Sequence, residues 1–211
     1  MKNPLTADTI HQALEWAYDK AVNSTIPGVD NAQTMALSYM AQEGSITERT
    51  NSLIRWQNTK AGASGFVTGL GGAITLPVVI PANITSVLFI QIRMIAAIAH
   101  MGGHDLRNDQ VKTMVYVCLC GNAAGEVLKS AGVKIGTKLT EQAIRNISGA
   151  VLTKINQAVG FRLLTQTTDS RSPTLWQASS HMFGFTLRER QESLRGAFSY
   201  GMLQYAQTSI V

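Results

Sequence analysis

The sequence predicts an all-α fold, a helical bundle built around a central apolar, glycine-rich helical hairpin at about residues 61–101. Three observations carry that expectation. Apolar residues recur at three- and four-residue spacing along most of the chain, which is the signature of helices with one buried face. No segment shows the period-two alternation of a half-buried strand. Finally, the 32 residues between Lys60 and Arg93 contain no Asp, Glu, Lys or Arg, so this region belongs in a protein interior or against lipid.

The elements follow in order. In TADTIHQALEWAYDKAVN, Ile10, Leu14, Ala17 and Ala21 share a helix face, and Ile26-Pro27-Gly28 ends the segment because proline lacks the amide a helix needs. Asp30 with Gln33 resembles a capping box for a short second helix ending near Gly44. Ser45 and Glu48 repeat the device ahead of a third helix, in which Leu53, Ile54, Gln57 and Ala61 lie on one face. Gly62, Gly65, Gly69 and Gly72 then line a face on which another backbone can pack closely. The hairpin turns at LPVVIPAN, residues 76–83, and its second arm ends at Gly102 and Gly103. Asn108 caps the next helix, DQVKTMVYVCLCGNAAGEVL, with Val111, Met114, Val115 and Cys118 inward. Two further helices are expected at Gln142–Ile147 and Ala150–Leu164.

Composition narrows the function classes. Only 15% of the 211 residues are charged, against roughly a quarter in an average soluble domain, so the surface is unusually apolar or touches lipid. The net charge is +5, but no run of five basic residues occurs, which argues against nucleic acid and leaves mild attraction to an anionic membrane. Two full membrane crossings are not expected. The stretch Ala61–Leu76 is short for the roughly 20 residues a bilayer requires, and Ala82–Ala99 carries Asn83, Gln91 and Arg93, the last costly in lipid. Cys118 and Cys120 point in different directions on a helix and suit neither a mutual disulfide nor a CxxC metal pair, so both read as small buried residues in a reducing compartment. The N-terminus has no long apolar segment of the signal-peptide kind, and the cytoplasm is the expected compartment.

Chemistry-bearing motifs are sparse. GLGGA, residues 69–73, lacks the third glycine of a dinucleotide loop and follows no strand, and the P-loop string is absent. Ser64 in GASGF does not fit the G-x-S-x-G elbow, and His11, His100, His104 and His181 frame no triad, so an enzyme is not expected and no cofactor is implied. His100, His104 and Asp105 in HMGGHD resemble a metal cluster, but two glycines break the helix between the histidines and no third ligand is evident, so no metal site is expected. A helix end with His100 near its negative pole is the simpler reading. Arg93 is the sharper candidate. On an apolar helix its guanidinium needs acceptors, for which Asp105, Asn83, Asn122 and Glu126 are available. It is either one half of a structural ion pair joining two helices or the centre of an anion site rimmed by Arg55, Trp56, Gln57, Asn58 and Lys60. The candidate ligand-binding set is Arg93, Asp105, Asn83, Gln91, Arg55 and Lys60.

The segments RWQNTKA (55–61), LPVVIPAN (76–83), QIRMIAAIA (91–99) and GGHD (102–105), with IPGVDNAQ and INQAVGFRLLT flanking, together resemble the EcsC protein family of bacteria. The resemblance runs from about Leu14 to Gln166 and divides the chain into an EcsC-like helical domain, 1–166, and a divergent tail, 167–211. It implies a mostly helical, apolar bacterial protein whose relatives include one encoded beside a transporter. The tail lacks the Pro-x-x-Gly-Gly hairpin of such proteins, and the last of the lysines is Lys154. The change marks either a divergent last module or a shift of reading frame. From composition and resemblance together, the expected function is non-enzymatic. The protein would be peripheral at the cytoplasmic face of the membrane, binding lipid or a membrane transporter component. The alternative is a soluble hydrolase or ligand-binding domain with a polar site around Arg93 and Asp105.

Overall fold

The computed structural model describes residues 6–23, 29–62, 82–133 and 144–168; the side chains of 58–62, 82–84, 87, 122 and 166–168 are not part of that description. Within these residues the chain forms helices α1 (Ala7–Asn23), α2 (Ala32–Met40), α3 (Ile46–Gly62), α4 (Ala82–Met101), α5 (Asp109–Leu119), α6 (Ala124–Ser130) and α7 (Gly149–Thr168), with no strand among the described residues. The all-α fold class is therefore observed.

α4 is the axis of the bundle. Every residue from Leu88 to Ala99 is buried, and the helix packs against α1, α2, α3 and α5. A helix that is apolar nearly all round must be covered on every side. From Leu88 to Ala99 the cover is protein, which accounts for the last part of the uncharged run, before Arg93, without lipid. The expected other arm, with Gly65, Gly69 and Gly72, lies outside the described residues, as does the expected turn at 76–83 except for Ala82 and Asn83, which begin α4. α7 closes the opposite side by packing on α1, α5 and α6. At Gly160 it comes close to the start of α1: a Cβ there would stand 3.3 Å from the Ala7 carbonyl oxygen.

Local signals explain most of the helix ends, with adjustments. α2 begins one residue later than the expected Asp30 cap: Asn31 Oδ1 accepts from the Thr34 amide at 2.8 Å. Asn and Asp cap almost equally well, and the Asp30 carbonyl is engaged elsewhere, as described below. α2 also stops at Met40 rather than near Gly44, which instead turns the chain at φ +105. The Ser45–Glu48 capping box forms as expected: the Ser45 amide donates to Glu48 Oε2 at 2.7 Å, and the Glu48 amide donates to Ser45 Oγ at 3.3 Å. Asn108 caps α5 through the Gln110 and Val111 amides.

The single helix expected after Asn108 is broken. Gly121, at φ +55, ends α5 through a short 3-10 turn before α6, because a left-handed residue cannot continue a right-handed helix. At the end of α4 the two glycines act as expected. The Gly103 amide donates to the His100 carbonyl at 2.9 Å and the His104 amide to the Ala99 carbonyl at 3.1 Å, with Gly103 at φ +80. That pairing is a Schellman motif, which satisfies the last carbonyls of the helix. Of the helix expected at Gln142–Ile147, residues 142 and 143 lie outside the described residues, and Ile144 and Arg145 form one helical turn. α7 runs past the expected Leu164 to Thr168.

Candidate functional site

Arg93 sits in the middle of α4 with 4% of its surface exposed. Its Nη2 donates to Gln57 Oε1 on α3 at 3.2 Å, and its Nη1 donates to the Asp30 carbonyl, just before α2, at 3.2 Å. The guanidinium carbon lies 5.5 Å from the centre of the Phe89 ring, one turn back on the same helix. Burial pushes the Arg93 pKa down to about 10 and the Asp30 charge works against that shift, so the group stays charged at neutral pH. Gln57 has a second duty. Burial pushes the Tyr39 hydroxyl up, and a hydrogen bond from the Gln57 side chain opposes it. Arg93 thus ties three separate pieces of chain, α3, α4 and the approach to α2, to one another.

The structure does not unite the remaining candidates around this arginine. Asp105 is exposed in the turn after α4, and its carboxylate accepts from the Arg107 amide at 2.9 Å. Met101 stands eight positions along the helix from Arg93, about 12 Å along the axis, and Asp105 follows it in the next turn. Glu126 is exposed on α6. Gln91 is buried on α4, but two residues from Arg93 it faces another way. Arg55 is exposed on α3, and the same two-residue offset separates it from Gln57. The side chains of Asn83, Lys60 and Asn122 lie outside the described residues. His100 and His104 belong to the helix-ending motif, and among the described residues no group of three His, Cys, Asp or Glu side chains could hold a metal ion. Both thiols, Cys118 and Cys120, are buried and unlinked.

A second polar cluster, not anticipated from sequence, ties α1 to α5. Glu15 forms an ion pair with Lys112 and accepts from the Tyr116 hydroxyl at 3.1 Å. Lys112 Nζ lies 5.6 Å from the centre of the Tyr18 ring, which meets Tyr116 edge-on at 5.7 Å. The Tyr18 hydroxyl donates to the Leu106 carbonyl at 2.8 Å. Burial first, and then the nearby carboxylates, push both hydroxyls far above the ordinary tyrosine value. A groove of about 360 Å³ opens beside this cluster, with Val22 and Leu106 among its apolar lining and Asp19, Arg107 and Asp109 among its charged lining. The signal in the sequence was the spacing of Glu15 with Tyr18 and of Lys112 with Tyr116, polar tips at three- and four-residue intervals on otherwise apolar faces.

The surface shows a different kind of feature on α2 and α3, which pack together. α2, AQTMALSYM, has no ionised side chain, yet Thr34, Leu37, Ser38 and Met40 face outward. Leu37 is 58% exposed and, on the neighbouring helix, Trp56 is 53% exposed beside the exposed Arg55. Arg49 of α3 donates to the Met40 carbonyl at 2.8 Å, which pins the two helices at their shared turn.

These features define an all-α bundle with a charged tie in its core and an uncharged outer helix. The chain matches no protein-family model, no curated protein and no solved structure.

Proposed function

We propose that this is a non-enzymatic, EcsC-like bacterial protein, peripheral at the cytoplasmic face of the membrane, that binds lipid or a membrane protein partner. The family assignment rests on the sequence motifs quoted above. The observation that carries the binding role is the outer face of α2, a helix without a single charge whose Leu37 and Met40 project from the bundle. Leu37 and Met40, three residues apart on one helix face, supply apolar contact without a charge to desolvate, and an exposed tryptophan beside an arginine suits the boundary between headgroups and acyl chains. Among the described residues no helix is long and apolar enough to cross a membrane, which is compatible with surface attachment. Arg93 donates to Gln57 and to the Asp30 carbonyl, and Asp105 accepts from the Arg107 amide, so these hydrogen bonds do not favour the alternative of a soluble hydrolase or ligand-binding domain with a polar site around Arg93 and Asp105.

Cell fractionation and flotation test the proposal. The protein is expected in the membrane fraction and to float with anionic liposomes, and Leu37→Gln with Met40→Gln is expected to weaken flotation while leaving the melting temperature nearly unchanged. A protein found wholly in the soluble fraction that fails to float overturns the reading. Flotation untouched by the double substitution overturns the assignment to α2.

A further inference from the structure

We draw no further inference here: the strongest candidate, the groove between α1 and the start of α5 beside Glu15, Tyr18 and Lys112, carries nothing because Glu15 and Lys112 neutralise each other within the chain and the carboxylates left on its rim come with no second feature that identifies a ligand.

Discussion

Arg93 donates to Gln57 across the α4–α3 contact at 3.2 Å, both side chains buried. A guanidinium brought into a core must recover its lost hydration through hydrogen bonds, and this one does so with a neutral amide and a backbone carbonyl from two other segments.

Arg93→Ala is therefore expected to destabilise the fold by about 3 kcal/mol, through lost charge-assisted hydrogen bonds and lost stem packing. Arg93→Lys keeps the charge but cannot present two donors in a fixed plane, so a smaller loss of about 1–2 kcal/mol is expected. Thermal unfolding with and without anionic liposomes checks both. If stability holds in Arg93→Ala and only a lipid-induced shift disappears, the structural role is refuted.

Alkaline pH should unfold the protein through Tyr18 and Tyr116. Both hydroxyls are held protonated in the fold well above the ordinary value of 10.0, whereas in the unfolded chain they ionise near 10. The folded state then binds more protons than the unfolded state above that pH, so stability falls as pH rises. Urea midpoints are expected to be flat from about pH 8 to 9.5 and to drop above about 10. Tyr116→Phe should make the drop shallower, and an identical slope in that variant would rule the linkage out.

At Gly160 the space is limited by backbone. A Cβ there would meet the Ala7 carbonyl oxygen at 3.3 Å, so a larger side chain must push α1 and α7 apart. Gly160→Leu is expected to cost about 1–3 kcal/mol or more, read as a fall in the denaturation midpoint. No change would mean that the two helices separate at no cost at this point.

Gly121 provides the fourth test. At φ +55 a residue with a Cβ pays about 1–2 kcal/mol, so Gly121→Ala should lower stability by that amount. Gly121→Asn should lower it less, since asparagine tolerates the left-handed region. If alanine stabilises instead, the break between α5 and α6 is not imposed by this residue.

The helical architecture was legible because periodicity and caps are local properties. The Ser45–Glu48 box, the Asn108 cap and the Gly102–Gly103 stop all act within a few residues, and all were read from spacing alone. The cap of α2 falls at Asn31, one position past the expected Asp30, and because Asp and Asn offer nearly the same capping chemistry, spacing alone does not separate them. The break at Gly121 was missed because glycine within a helical pattern is tolerated as often as it is used. Sites fared worse. That Arg93 needs buried acceptors follows from its apolar surroundings, but which acceptors it finds depends on helix packing, and the Glu15–Lys112 pair spans 97 residues.

The central position of α4 has a consequence for synthesis. As the chain emerges from its N-terminus, α1, α2 and α3 appear first, yet each packs against α4, and α1 awaits Lys112 and Tyr116 for its polar partners and α7 for its far side. A nascent chain that ends before α4 holds α1, α2 and α3 without the helix on which all three pack. The described helices therefore close late, from both directions onto one helix, and until then the faces of α1, α2 and α3 that meet α4 stay uncovered by it.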